Sequence, residues 1–288
     1  MDFWIATMFL DADQMVPLAR AAEDLGYTGL ALADHVAVPA NYEALHPSGQ
    51  KNVFDEHGLF PDSLTCIAAM STATTRLRFM TYVYVVTMRE PFSVAKQAGT
   101  VSTLSGGRFA LGVGAGWLRE EIELLGQDPR VRGRRLDEML DIVRAFLEDG
   151  TTEYHGDFFD FGRAGMYPRP SHPVPIWVGG KSPVALARAA RQDGWLGMNY
   201  PMDEIETLLP ALRDARKMQA EREGAEREGF ETIVIPLAAP EESIYETLAK
   251  AGVTGTVCAP WGLGDPAYDS LDAKLEALAT FAARFISP

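Results

Sequence analysis

Short apolar or β-branched runs alternate eight times along this chain with longer segments whose apolar residues recur every three or four positions. This alternation is typical of a parallel sheet whose strands are connected by helices. The predicted strands cover residues 3–8, 29–33, 77–86, 109–113, 175–178, 195–198, 232–235 and 254–259. The helices predicted after them cover residues 15–25, 60–73, 91–104, 134–147, 183–190, 205–222, 241–251 and 271–285.

The number of repeats and the chain length together select one fold class. Eight strand–helix units in 288 residues match a (β/α)8 TIM barrel, and we expect residues 1–288 to form that single α/β domain. The rival fold is a doubly wound open sheet, which usually needs a Gly-x-Gly-x-x-Gly turn after its first strand. Residues 9–13 contain no glycine, so the barrel is favoured.

Two segments are longer than a plain barrel repeat requires. Residues 41–59 follow the second predicted strand, and residues 151–173 precede the fifth and include an aromatic, proline-rich stretch. Long loops at the carboxyl ends of barrel strands commonly bind substrate. We therefore expect both insertions to cover the barrel mouth and to exclude water from it.

The charge balance restricts the partners of this chain. Forty acidic against 26 basic residues give a formal net charge of −14, which disfavours binding along a nucleic acid backbone. No window of about 18 apolar residues is present, so no membrane span is expected. Cys66 and Cys258 are far apart, and the first residues are strand-like rather than a signal peptide, so we expect a cytoplasmic protein with reduced thiols. The expected partner is a small-molecule substrate.

Asp34 and His35 end the second predicted strand, where barrel enzymes carry their reactive groups. Histidine is the side chain that changes charge closest to neutral pH, so His35 is a candidate to donate or accept a proton. A structural hydrogen bond between Asp34 and His35 is an equally good interpretation. The five histidines show no i, i+4 pair and the two cysteines are isolated, so no metal site is expected.

The ends of the third and fourth predicted strands are unusual, and the fourth indicates a flat ligand. The third strand is too long and too aromatic for an ordinary core strand, so we expect another group to pack against its end. After the fourth strand, Gly112, Gly114 and Gly116 alternate and are followed by Trp117. Alternate glycines let a flat molecule approach the backbone without meeting Cβ atoms.

The best candidate anion site follows the fifth predicted strand at Gly179, Gly180, Lys181 and Ser182. A Gly-Gly turn at a helix N-terminus presents free N–H groups and the positive end of the helix dipole, and the hydroxyl and ammonium add to them. We expect a phosphate there, although a Ser N-cap followed by proline is also ordinary helix initiation. The basic run at residues 130–135 holds either a second anionic group or surface ion pairs.

Four stretches of the chain together resemble the luciferase-like monooxygenase superfamily. They are Ala-Asp-His at 33–35, Leu-Ser-Gly-Gly-Arg-Phe-Ala-Leu-Gly-Val-Gly-Ala-Gly-Trp at 104–117, Arg-Arg-Leu-Asp-Glu at 134–138 and Pro-Ile-Trp-Val-Gly-Gly at 175–180. Within the superfamily the chain resembles the coenzyme F420-dependent (deazaflavin) oxidoreductases, and the resemblance covers nearly its whole length. It also implies a homodimer.

The resemblance implies that a deazaflavin ring lies at the carboxyl end of the barrel. It implies a non-prolyl cis peptide bond between Tyr82 and Val83, which supports the ring from behind. The residues that it implies at the cofactor are Asp34, His35, Tyr82, Val83, Gly114, Ala115, Gly116, Trp117, Gly179, Gly180, Lys181 and Ser182.

One position departs from part of that family. In the F420-dependent sugar-phosphate dehydrogenases an acidic residue that acts in proton transfer follows the glycines after the fourth strand, whereas this chain has Trp117. Oxidation of glucose 6-phosphate is therefore not expected, and an apolar or planar substrate suits the site better. His35 is then the leading proton carrier, and the predicted reaction is hydride transfer between the deazaflavin and an organic substrate.

Two other functions stay open. The first is an FMN-dependent luciferase-like monooxygenase that receives its flavin from a separate reductase, which oxygen consumption would reveal. The second is a non-catalytic flavin- or deazaflavin-binding protein, which would bind without turnover. A Schiff-base aldolase is disfavoured because Lys181 lies beyond its strand in a glycine turn.

Overall fold

The computed structural model describes residues 1–225 and 227–286. The strands among these residues are β1 (Asp2–Ala6), β2 (Gly29–Leu32), β3 (Arg78–Thr81), β4 (Tyr84–Val85), β5 (Phe109–Gly114), β6 (Thr151–His155), β7 (Asp160–Gly165), β8 (Ile176–Gly179), β9 (Gly194–Tyr200), β10 (Glu231–Pro236) and β11 (Gly255–Cys258). The α-helices are α1 (Ala12–Asp24), α2 (Ser63–Thr72), α3 (Pro91–Ser105), α4 (Arg119–Leu124), α5 (Arg132–Glu148), α6 (Pro183–Ala190), α7 (Met202–Glu223), α8 (Glu242–Lys250) and α9 (Leu271–Phe285).

The main sheet closes on itself into a barrel of parallel strands. Hydrogen bonding passes from β1 through β2, β3, β5, β8, β9, β10 and β11 and returns to β1. The short β4 makes a second contact with β5. Among the described residues, eight positions around the ring are thus filled, which confirms the predicted (β/α)8 TIM barrel. Because all eight strands run in the same direction, their carboxyl ends meet at one mouth.

Two indole rings fill the inside of the barrel and explain two of its glycines. The rings of Trp4 and Trp177 meet edge to face with their centroids 6.0 Å apart. A Cβ atom on Gly29 would lie 2.5 Å from the Trp4 ring, and one on Gly194 would lie 2.5 Å from the Trp177 ring. At Gly29 a Cβ atom would also meet the Arg78 carbonyl oxygen. At Gly194 it would lie 2.8 Å from the Glu231 carbonyl oxygen. Strands β2 and β9 therefore begin with glycine because the indoles and the neighbouring strands' carbonyls occupy that space. The other buried members of this inner cluster are Ala31, Met80, Tyr82, Ala110, Leu196, Ile233 and Val257.

The helices that begin at the mouth are initiated by their local sequence. Glu90 precedes α3 and accepts the Ser93 N–H at 2.9 Å, and Ser182 precedes α6 and accepts the Ala185 N–H at 3.2 Å. Proline follows each cap, at a position where its missing N–H costs no helical hydrogen bond. The predicted initiation of a helix at Ser182 is confirmed. No helix in the described ranges is long and apolar enough to cross a membrane.

The third predicted strand, residues 77–86, is wrong as a continuous strand. A cis peptide bond between Tyr82 and Val83 separates β3 from β4, and a short 3-10 turn at Val86–Met88 follows. The Tyr82 side chain lies inside the barrel, where its hydroxyl donates a hydrogen bond to the Gly197 carbonyl at 2.5 Å. The cis bond is at the position that the family resemblance implies.

The two insertions lie at different places. The first insertion, predicted at residues 41–59, belongs to a longer connection at residues 33–62, and we use "the insertion" for that whole connection. It joins β2 to α2 at the mouth without a regular helix or strand, and all of it lies within the described part of the chain. Residues 151–173 instead follow α5, and their β6–β7 hairpin packs on that helix: the N–H groups of residues 157–159 donate to Glu138. The predicted place of the second insertion at the carboxyl end of a strand is therefore wrong, because the segment follows a helix and starts at the amino-terminal side of the barrel.

Candidate active site

A cavity of about 420 Å³ opens at the mouth, where β4, β5, β8 and β9 end and α5 and α6 begin. Barrel enzymes place their active sites at this end of the strands. A larger cavity of about 730 Å³ lies at the opposite end, beside the first residues of β3 and β10. We therefore assign the site to the cavity at the mouth. The residues that line it are Pro47, Val83, Val85, Gly114, Ala115, Gly116, Trp117, Arg130, Arg132, Gly133, Gly179, Gly180, Ser182, Val184, Ala185, Arg188, Met198 and Tyr200.

The lining contains most of the residues predicted at the cofactor. Eight of those twelve predicted residues are present, from Val83 to Ser182 in the chain. The other four predicted residues are not among the described residues that line this cavity. They are Asp34, His35, Tyr82 and Lys181.

Val83 forms one wall of the cavity, and two glycines make room for it. A Cβ atom on Gly114 would lie 2.6 Å from Val83 Cγ2, and one on Gly179 would lie 3.0 Å from Val83 Cγ1. The glycines at strand ends β5 and β8 are thus required by the segment that follows the cis bond. The predicted role of Gly114, an open backbone for a flat ligand, depends on the same missing Cβ atom and stays a prediction.

Asp34 anchors the segment that follows the cis bond. Its carboxylate oxygens accept hydrogen bonds from the Arg89 guanidinium at 2.8 and 2.9 Å, and one of them also accepts the Val85 N–H at 2.8 Å. Burial raises the pKa of Asp34, and the charge and hydrogen bonds of Arg89 oppose that rise. The predicted structural pair of Asp34 with His35 is therefore wrong, because both oxygens of Asp34 are occupied on this other side.

His35 is paired instead with Glu121 of α4. The distance between His35 Nδ1 and Glu121 Oε2 is 2.6 Å, and Glu121 is only 1% exposed. The imidazole is enclosed by Phe54 and Phe60, whose ring centroids lie 4.9 and 4.7 Å away. Trp117 lines the cavity and its ring centroid is 6.0 Å from that of His35. His35 therefore stands beside the cavity, next to one of its walls.

Trp117 joins the first insertion to the cavity. Its indole is surrounded by Tyr42, His46 and Phe54, with centroid distances of 5.8, 5.2 and 5.7 Å. Burial lowers the pKa of His46 to about 4, so this ring is neutral at neutral pH and packs as an aromatic group. Trp117 is thus a wall of the cavity, as predicted, and also the centre of the aromatic cluster that holds the insertion.

The sequence reasoning missed Glu120 and Glu121. Both residues lie in the first turn of α4 and bind different parts of the insertion. Glu121 Oε1 accepts hydrogen bonds from the N–H groups of residues 36–37 at 2.6 and 3.1 Å. Glu120 Oε1 accepts them from the N–H groups of residues 43–44 at 2.8 and 3.3 Å. The sequence did contain a signal for a functional role of these residues, because two adjacent carboxylates follow closely after a strand that ends at the mouth. Their partners are distant in sequence, so the pairing itself was not readable.

The basic run at residues 130–135 supplies two arginines, Arg130 and Arg132, to the lining of the cavity. Arg132 lines it, and its Nε and Nη1 atoms donate to the carbonyls of Gly116 and Pro129 at 3.0 and 2.6 Å. Within the described ranges no carboxylate forms an ion pair with Arg132. Arg130 pairs with Asp128 at 2.8 Å. Arg130 thus forms one of the surface ion pairs that the sequence left open, whereas a second anionic group at this run stays a prediction.

Lys181 turns away from the site that was predicted for it. Its ammonium lies 2.7 Å from Glu204 and 5.0 Å from the ring centroid of Tyr200. Gly180 and Ser182 on either side of it do line the cavity. Gly180 has a φ of 123°, a conformation that favours glycine and that turns the chain into α6. The start of α6 faces the cavity, whereas the lysine does not.

Comparisons with known proteins identify the family. A model of the luciferase-like monooxygenase family matches residues 5–282 of the chain. An uncharacterised protein of Mycobacterium tuberculosis (strain ATCC 25618 / H37Rv) is 35% identical over 293 residues, which cover 100% of this chain and 99% of that protein. The F420-dependent glucose-6-phosphate dehydrogenase of Nakamurella multipartita is 30% identical over 207 residues, which cover 70% of this chain and 57% of that enzyme.

A solved structure has the same fold over the full length. It is an F420-dependent secondary alcohol dehydrogenase in complex with an F420-acetone adduct, with a TM-score of 0.75 and 16% identity, covering 98% of this chain and 99% of that one. At this low identity the likeness supports the barrel fold, while the family match extends from β1 to α9. The chain therefore belongs to the luciferase-like monooxygenase family, a family of redox enzymes, as its motifs predict.

Proposed function

We propose that this chain is a coenzyme F420-dependent oxidoreductase that transfers a hydride between the deazaflavin and a small apolar or planar organic substrate. The observation that carries the proposal is the cavity at the mouth, whose wall at Val83 packs between Gly114 and Gly179. F420-dependent relatives support the choice of cofactor. When bound, F420 supplies a ring carbon that accepts or donates the hydride.

The residues of the cavity fit a flat ring that carries a phosphate. Val83 and the glycine backbone opposite it offer a smooth apolar surface. The N–H groups at the start of α6 and the Ser182 hydroxyl are donors suited to an anion. Arg132 adds a guanidinium that is bound only to carbonyl groups among the described residues, and a guanidinium matches the geometry of a phosphate. We assign the phosphate to Ser182 and Arg132.

His35 handles the proton that accompanies the hydride. Its Nδ1 atom is held by Glu121, so its other nitrogen is the one available to a substrate. Trp117 and the insertion of residues 33–62 exclude water from this side of the cavity. The aromatic and apolar character of that wall favours the apolar or planar substrate.

Removal of the arginine side chain tests the phosphate assignment. We expect Arg132→Ala to weaken F420 binding by roughly 10- to 100-fold, because a hydrogen bond to a charged group contributes about 1.5–3 kcal/mol. Binding of the same deazaflavin without its phosphate should stay unchanged. Arg134→Ala is the matched control, since Arg134 belongs to the same basic run and pairs with Asp157 at 3.6 Å, outside the cavity. Equal losses for both ligands would contradict the assignment.

The second candidate is an FMN-dependent monooxygenase, which the family description favours. FMN also combines a flat ring with a phosphate, so the same residues would hold it. Oxygen uptake in the presence of a flavin reductase would distinguish this function from an F420-dependent one. Binding without turnover of any substrate would leave a non-catalytic binding protein. The homodimer and the cytoplasmic location stay predictions.

A further inference from the structure

Glu121 uses one carboxylate oxygen for the backbone and the other for His35. Oε1 accepts two N–H groups, from Val36 at 2.6 Å and Ala37 at 3.1 Å. Oε2 lies 2.6 Å from His35 Nδ1. The side chain is buried, so all of its polar contacts are with protein groups. Two N–H donors on one oxygen match an ionised carboxylate, which has only acceptors to offer.

An acceptor at Oε2 determines the proton position on His35. A neutral imidazole carries one proton, and the nitrogen next to a carboxylate is the one that donates. The proton of neutral His35 is therefore on Nδ1, which leaves the lone pair on Nε2. No hydrogen-bond partner for Nε2 is present among residues 1–225 and 227–286. The nitrogen with the lone pair is thus the one left free for a ligand.

We propose that Glu121 is the positioning residue of the reaction: it holds His35 in the tautomer with Nδ1 protonated, so that Nε2 accepts a proton from the bound substrate. The role rests on the proposed function for the identity of that substrate. In the reverse direction the charged imidazole returns the same proton from Nε2 while Nδ1 stays bound to Glu121. The carboxylate itself does not touch the substrate.

Glu120 offers a control that separates this role from simple loop anchoring. Like Glu121, it starts α4 and uses Oε1 to accept two N–H groups of the insertion, those of Glu43 and Ala44. Its Oε2 atom is buried and has no hydrogen-bond partner in the part of the chain that the structure describes. Loss of its charge therefore perturbs the same loop without touching His35.

The glutamine variant of Glu121 should invert the tautomer. In Glu121→Gln the amide oxygen keeps the two backbone N–H bonds, so the amide nitrogen faces His35 Nδ1 and donates to it. Nδ1 must then carry the lone pair, and the proton moves to Nε2. Glu120→Gln should leave the tautomer as it is in the wild type.

Nitrogen-15 shifts of labelled histidine in the full chain, with His35 assigned from the signal missing in His35→Asn, measure the tautomer without any cofactor. We expect a protonated Nδ1 in wild type and Glu120→Gln, and a protonated Nε2 in Glu121→Gln. A wild-type signal from protonated Nε2 would overturn the proposal even where the variant fails to fold. So would a folded Glu121→Gln protein that retains the wild-type shifts, or a Glu120→Gln protein that changes them equally.

Turnover gives the second readout. Glu121→Gln should lower kcat by roughly 100-fold or more, as expected for a misplaced general base, and leave the Kd for F420 within about twofold. Glu120→Gln should lower kcat by less than about threefold. Equal losses of kcat in the two variants would assign both to loop anchoring and refute the positioning role. If the wild type neither binds nor turns over F420, the proposed function fails while the tautomer result still decides the role of Glu121.

Discussion

Replacement of Arg89 by methionine should destabilise the protein by an amount that depends strongly on pH. Arg89 lies against the Tyr84 ring, 3.9 Å from its centroid, and forms the ion pair of the buried Asp34 at 2.8 Å. Methionine keeps much of the apolar stem but removes the charge, so Asp34 loses its partner in a place where water cannot replace it.

The loss of stability is limited by the protonation of Asp34 in the variant. A folded Arg89→Met protein avoids the unpaired charge if Asp34 takes up a proton, which costs about 1.36 kcal/mol for each pH unit above an unfolded-state pKa of about 3.9. The charge penalty is therefore limited to about 5 kcal/mol at about pH 7.5 and to about 2 kcal/mol at about pH 5.5. The pKa of Asp34 is already raised by burial in the wild type, so loss of Arg89 moves it further in the same direction.

The rise of the Asp34 pKa in the folded variant determines the sign of the pH dependence. Between the two pKa values the folded variant binds more protons than the unfolded one, so its free energy of unfolding falls as the pH rises. Urea unfolding of wild type and Arg89→Met at both pH values measures the difference. Arg134→Met is the control, because its ion pair with Asp157 is exposed on both sides and should give no pH-dependent loss. An Arg89→Met loss of equal size at both pH values would refute the reasoning.

Two further substitutions test the walls of the cavity. Gly114→Ala places a Cβ atom 2.6 Å from Val83 Cγ2, so we expect a loss of about 1–3 kcal/mol in the free energy of unfolding and weaker F420 binding in a titration. Gly162→Ala, whose Cβ atom meets no described atom within 4 Å, should change neither, and a similar loss there would contradict the clash. Tyr82→Phe removes the hydroxyl that donates to the Gly197 carbonyl, so urea unfolding should show a loss of about 1–2 kcal/mol; an unchanged midpoint would count against that hydrogen bond.

The sequence predicted the barrel because its periodicity is local and repeated. A strand buried on both faces appears in the sequence as a short apolar run. A helix on the outside appears as apolar residues that recur every three or four positions, so each unit is recognisable by itself. The break at Tyr82 was not visible in that periodicity, because both halves of residues 77–86 are apolar. Only the family resemblance located it.

The site was predicted where it depends on strand ends and missed where it depends on side-chain direction. Val83 and Gly114 line the cavity because the carboxyl ends of barrel strands must meet at the mouth. Lys181 follows a strand end as well, yet its ammonium pairs with Glu204. Glu121 was missed because a hydrogen bond to His35 joins residues far apart in sequence, and no local pattern reports such a contact.

A titration of the purified wild-type protein with oxidised F420, followed by quenching of tryptophan fluorescence, tests the central claim most directly, because Trp117 lines the cavity. The account predicts saturation at one F420 per chain, with a Kd at least about tenfold lower than that for FMN, a difference of about 1.4 kcal/mol. Binding of neither cofactor, or binding of F420 that Gly114→Ala leaves unchanged, would contradict it.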